Sequence, residues 1–225
     1  MNFYIPTNGP SSWQALLGDP VKHWKTGRSA RTLAYCWESA NGFPPEVSAV
    51  LDDSTYGDLH DLEFVVGFPE HEVPLPGGRR PSQTDVFVLA TGSAGLVSIA
   101  VEGKVDEPFG DLVVDWLGDD PSPGKRKRLS YLCDLLGITT GDAMGLRYQL
   151  LHRTASAIIE ANRFKAGPAV MLVHTWAPNQ EGFDDYRAFV KAIGGSPAID
   201  SVTAATSVDG LYLGWVSGSS EWLTK

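Results

Sequence analysis

In the segment SIAVEGKVDEPFG, residues 98–110, an apolar run ends in Glu102, Gly103 and Lys104. Side chains alternate across a strand, so Val97, Ile99 and Val101 share one face while Ser98, Ala100, Glu102 and Lys104 share the other. The preceding run, TDVFVLA at 84–90, is joined to it by TGSAG, a tight turn. If the two runs pair as an antiparallel hairpin, the start of one meets the end of the other, and Asp85 comes to the same edge as Glu102 and Lys104. Two carboxylates there could hold Mg²⁺, an ion that prefers oxygen ligands and keeps several waters. Such an ion polarises a phosphodiester and lowers the pKa of a bound water, and a neighbouring ammonium can orient that water. A plainer reading stands beside this one: opposite charges on the same face of a strand end form a common surface pair worth little.

The elements that must position these residues follow from periodicity. SSWQALL offers Ser11 or Ser12 as a helix cap, with Trp13, Leu16 and Leu17 on one side. A helix is expected over Ser29–Ala40, ended by Asn41 and Gly42, and a short one after Pro44 and Pro45. Strands are expected at 62–68, 84–90 and 96–104, three in succession with short connections, as in an antiparallel meander. A loop-rich stretch leads to a helix over 125–136. The segment GDAMGLRYQLLHRTASAIIEANRF then reads as one long amphipathic helix, with Met144, Tyr148, Leu151, Ala155, Ile158 and Ile159 on its apolar side. A continuous apolar strand at 168–176, of the kind buried on both faces, a helix near 183–193 and a last strand, LYLGWVSG, complete the order. The class is α/β: a mixed central sheet flanked by helices, read as a single domain over 1–225.

Composition narrows the function classes. The chain of 225 residues carries a formal charge of −9, against a surface that attracts nucleic acid everywhere. A local basic patch remains compatible with that balance. Arg79–Arg80 and GKRKR, with Lys125 and Arg126 as candidate substrate-binding residues, are such patches or else solvated loops. No segment approaches the length of an apolar membrane span, and the N-terminal segment lacks the pattern of a secretory signal, so no membrane partner and a cytoplasmic location are expected. Cys36 and Cys133 lie among apolar neighbours and read as buried thiols. GDDPSPGKR fails as a phosphate-cradling loop because five residues separate Gly118 from Gly124 and Arg126 replaces the hydroxyl residue. No Gly-x-Ser-x-Gly turn is present, and His152 and His174 lack partners at zinc spacing.

Asp85, followed across a hairpin by Glu102-Gly103-Lys104, resembles the motif of the PD-(D/E)XK, or restriction-endonuclease-like, nuclease superfamily. The order helix, three-stranded meander, helix, strand over about 29–176 is similar to that superfamily's αβββαβ core, with an N-terminal helical segment and a C-terminal helix–strand extension outside it. The resemblance implies a Mg²⁺- or Mn²⁺-dependent nuclease acting on DNA or RNA. Asp85 and Glu102 would be metal ligands and Lys104 the residue that positions water. It further implies Gln149 as a polar contribution from the following helix, Arg153 as a phosphate contact, and Glu38 on the first helix as an additional metal ligand, with Glu63 behind it. A homodimer cutting two strands is compatible with it. The alternative is a non-catalytic interaction module that keeps the nuclease-like fold.

Overall fold

The computed structural model describes residues 7–225. A 3₁₀ turn at Pro10–Leu16 precedes α1 (Pro20–His23), α2 (Ser29–Ala40) and α3 (Pro45–Asp52). The meander follows as β1 (Glu63–Val73), β2 (Ser82–Gly92) and β3 (Gly95–Lys104). Next come α4 (Val113–Leu117), α5 (Pro123–Leu136), α6 (Thr140–Ala143) and α7 (Tyr148–Phe164), then β4 (Ala169–Thr175), α8 (Phe183–Ala192), β5 (Ser201–Ala204) and β6 (Leu211–Ser217). The six strands form one mixed sheet in the order β1-β2-β3-β4-β6-β5. β1, β2 and β3 are antiparallel, whereas β3, β4 and β6 run parallel.

Parallel strands need crossovers, and the helices that supply them cover the faces. Val86, Val88, Val97, Ile99, Val101, Val170 and Leu172 pack on one side with Leu33, Ala34 and Trp37 of α2 and Val47, Val50 and Leu51 of α3. On the other, Ala100, Met171, Val173, Leu213 and Trp215 pack with α5, α7 and α8. β4, covered on both sides, is buried at all seven positions. This is the mixed, helix-flanked sheet expected from the sequence.

Several boundaries differ from expectation. The SSWQALL segment is 3₁₀ rather than α, and Gly9 occupies the cap position without a side-chain bond. The long helix expected from Gly141 is split: α6 ends at Ala143 and α7 begins at Tyr148. The interruption is stabilised from outside, since Val113 N–H donates to Leu146 O (2.8 Å) and Tyr148 N–H to Asp111 O (3.0 Å). The backbone of 145–148 is thereby docked on the 111–114 segment instead of closing helical turns. β1 runs five residues past its expected end, and α4 and β5, both short, carry too little periodicity to be read from sequence.

Candidate functional site

α7 lies antiparallel to β3, and side-chain hydrogen bonds join the two at three levels. Lys104 Nζ donates to Gln149 Oε1 (3.0 Å), Arg153 Nε donates to Glu102 Oε2 (2.5 Å), and Ser98 Oγ donates to the Ala157 carbonyl (2.9 Å). Gln149 and Arg153 are four residues apart, about 6 Å of helix rise, close to the roughly 6.7 Å that separates their partners Lys104 and Glu102, two strand residues apart. Small residues at Ser98 and Ala100 let the helix sit close at one end. The charged rungs then occupy the other end, and Glu102, Lys104 and Arg153 are all buried.

Glu102 is the most heavily compensated group. Its Oε1 accepts from Lys104 Nζ (2.9 Å) and Gln149 Nε2 (2.6 Å), while Arg153 holds Oε2. Burial alone would raise its pKa, but Arg153 and Lys104 overcome that and hold it down to about 2. Arg153 Nη1 also donates to Ser82 Oγ (3.1 Å), whose hydroxyl lies 2.8 Å from His152 Nδ1. Burial and the adjacent Arg153 cation push the His152 pKa well below its ordinary value, so the ring is neutral.

Asp85 comes to this cluster from β2 through the predicted hairpin, one pair beyond Val86–Val101. Its Oδ2 accepts from Gly103 N–H (2.8 Å). Gly103 is required at close quarters: a Cβ there would lie 3.2 Å from Leu33 Cδ1 of α2 and 3.4 Å from Asp85 Oδ2. Burial and the neighbouring Glu102 carboxylate push the Asp85 carboxyl up to about 7, against the opposing pull of Arg153 and Lys104.

A third carboxylate, Glu70 on β1, joins the group, and no alternation in the sequence points to it. Phe68 and His71, three residues apart, both pack on Phe87, so strand alternation breaks between them, where Glu70 adopts a left-handed φ of 51°. Burial, then Asp85, pushes the Glu70 pKa well above the carboxylate range. Among the described residues neither Glu70 nor Asp85 forms an ion pair, in contrast to Glu102.

These groups lie in a cleft of about 580 Å³ whose lining includes Glu70, Asp85, Glu102, Lys104, Gln149 and Arg153. Phe109, Trp116, Tyr148 and His152 line it as well. The Lys104 ammonium lies 4.8 Å from the Phe109 ring centroid, and Trp116 stacks on Tyr148 at 3.9 Å with an interplanar angle of 8°.

Four predicted residues, Glu38, Glu63, Lys125 and Arg126, are not part of this cleft's lining. Glu38, near the C-terminal end of α2, is buried and its Oε1 accepts from the Trp13 indole at 2.8 Å. It is the N-terminal end of α2, at Ser29 and Ala30, that reaches the cleft. Lys125 is bent back onto its own chain, its Nζ donating to the carbonyls of Trp116 and Leu117 and lying 5.4 Å from the Trp116 ring centroid. Arg126 is exposed and faces Asp120 at 3.5 Å. Glu63, at the first residue of β1, pairs with Thr91 at the opposite end of the hairpin from Asp85.

A second group with metal-ligand chemistry, Cys36, Glu46 and His174, lies on the α2 side of the sheet. Its hydrogen bonds argue against an ion. Trp37 Nε1, which can only donate, points at His174 Nδ1 (3.2 Å), so the ring proton sits on Nε2, facing Glu46 Oε1 at 3.2 Å. The nitrogen nearest the other candidate ligands therefore carries a proton and has no lone pair to offer. Burial and the Glu46 carboxylate push the Cys36 thiol far above its ordinary pKa, which makes it a poor source of thiolate.

With this geometry in place, comparison with known proteins gives one family. A family model described as a domain of unknown function, DUF6946, matches residues 6–220. The chain belongs to that family. No curated protein and no solved structure matches the chain. Among the described residues no helix is long and apolar enough to cross a membrane.

Proposed function

We propose that the cleft is the active site of a metal-dependent phosphodiester hydrolase acting on DNA or RNA, built on a restriction-endonuclease-like core. The order α2, β1, β2, β3, α7, β4 supports that core assignment. The observation that carries the function is the uneven compensation of three converging carboxylates. Glu102 is neutralised by two cations, while burial and the neighbouring carboxylates push Glu70 and Asp85 toward protonation, and among the described residues no cation forms an ion pair with either. Hard oxygen donors, half-buried on the cleft wall and short of positive charge, suit Mg²⁺ or Mn²⁺. Asp85 and Glu102 would hold the ion, with Glu70 beside them. Bound there, it would polarise the scissile phosphate and acidify a water.

The chain's own residues supply the rest. Lys104 has two of its three N–H groups engaged by Glu102 and Gln149, which fixes the ammonium at the cleft floor and leaves one donor to orient a water. Gln149 bridges Glu102 and Lys104, donating to one and accepting from the other, and so sets their spacing. Arg153, a fork of five donors beside the cleft, can share its charge between Glu102 and a substrate phosphate. The burial of Lys104 and Arg153 strengthens these interactions relative to water.

One observation favours a second reading. Both oxygens of Glu102 are already satisfied by the chain, as in a module that kept the sheet and replaced the metal with Arg153. The two readings separate by experiment. As a hydrolase, the protein cuts DNA or RNA when Mn²⁺ is added, and Glu102→Ala or Lys104→Ala stops it. Equal cutting by wild type and both variants, or none by any of them, rejects the hydrolase.

A further inference from the structure

Between residues 20 and 37 the chain has no acidic residue and carries Lys22, Lys25, Arg28 and Arg31, in a protein whose net charge is −9. The first three of these cations, with His23, line a pocket of about 330 Å³. This pocket shares His23, Ser29, Ala30 and Glu107 with the lining of the cleft, so the two are continuous. Glu107 is an acid on that shared wall, but its carboxylate is turned to the backbone. It accepts from Ser29 N–H and Oγ (both 3.1 Å) and from Val105 N–H (3.0 Å), capping α2. Lys22 and Lys25 are exposed and take part in no described ion pair, while Arg28 pairs with the exposed Asp106.

Elsewhere on its wall the cleft is aromatic, formed by the stacked Trp116 and Tyr148 and by Phe109. A cationic track leading to aromatic rings is the arrangement that binds unpaired nucleic acid, with phosphates on the cations and a base against the rings. A duplex, by contrast, keeps its base faces stacked within itself and offers nothing to the aromatic wall.

We propose that the cleft receives a single strand of DNA or RNA, with its phosphates on Lys22, Lys25 and Arg28 and a base against Trp116 and Tyr148. The inference deepens the hydrolase reading and rests on it for what happens to the strand. Binding itself is measurable without cutting. Lys22, Lys25, Arg28 and Trp116 thereby take over the recognition role expected of Lys125 and Arg126.

The test is fluorescence anisotropy with labelled short single strands of DNA and RNA and the matching DNA duplex, in Ca²⁺ to suppress cutting. The single strand is expected to bind about tenfold more tightly than the duplex, the gain expected from stacking one base. Lys22→Gln combined with Lys25→Gln should weaken binding and reduce the slope of log affinity against log salt by about 1.4, roughly 0.7 for each lost phosphate contact. Asp106→Asn, which frees Arg28, should tighten binding. Trp116→Leu should weaken binding to the intact strand and leave an abasic strand unaffected. Unchanged affinity and salt slope in the double lysine variant, or a preference for duplex, overturns the inference. Metal-dependent cutting by a protein that fails these tests would leave the hydrolase reading intact, whereas normal strand binding without cutting would overturn the hydrolase alone.

Discussion

Proton competition at Asp85 gives the account a quantitative consequence. With its carboxyl pushed up to about 7, Asp85 carries a proton in about ten of eleven molecules at pH 6 and in about one of eleven at pH 8. An ion can use only the carboxylate, so apparent Mn²⁺ affinity should fall about tenfold from pH 8 to pH 6, with about one proton released per ion bound at the lower pH. Glu70, raised as well, steepens the dependence if it also contributes an oxygen. Stability follows the same linkage. A carboxyl whose folded pKa is raised stabilises the fold below its ordinary pKa near 3.8, and that contribution is lost as pH rises through about 7. A shift of this size corresponds to about 4 kcal/mol at most, so the metal-free protein should become less stable over this range while stabilisation by Mn²⁺ grows. Glu102 acts in the opposite sense: its low pKa gives stability above the ordinary carboxylate range that is lost as pH falls through about 2. The assay is calorimetric titration of Mn²⁺ at both pH values in buffers of different ionisation enthalpy, repeated with Asp85→Asn. Affinity independent of pH, or equal binding by the variant, refutes the reasoning.

Other perturbations test the surrounding structure. Arg153→Leu removes the main partner of buried Glu102 and should cost about 3 kcal/mol by urea unfolding without metal, a loss that millimolar Mn²⁺ partly restores; no restoration would mean the ion cannot substitute for the guanidinium. Gly103→Ala should destabilise by about 1–2 kcal/mol and weaken Mn²⁺ binding, because the new methyl meets packed Leu33 and crowds Asp85. Zn²⁺ should raise the melting temperature of wild type and Cys36→Ser equally or not at all, because Trp37 fixes the His174 tautomer against ligation; a rise specific to wild type would contradict this.

The sheet and the Asp85–Glu102–Lys104 edge were legible because strand alternation and a short hairpin are local rules, and both operate within about twenty residues of sequence. Gln149 and Arg153 entered through a family resemblance, yet their spacing of four matches the spacing of two between Lys104 and Glu102. Glu70 was hidden for a different reason. Its approach depends on a backbone irregularity in β1 and on a long connection from Val73 to Ser82, neither of which hydrophobic pattern encodes. Glu38 was misplaced because the resemblance supplied a helix but not which of its ends meets the sheet edge. The basic residues near position 25 form a sparser run in sequence than Lys125–Arg128, although Lys125 directs its charge at nearby carbonyls.

The most direct measurement is a crystal of the protein soaked in Mn²⁺ and examined by anomalous scattering. The expected result is a peak within coordination distance of carboxylate oxygens of Asp85 and Glu102, facing the cleft. A crystal without such a peak at neutral or higher pH, with Arg153 still seated on Glu102, would contradict it.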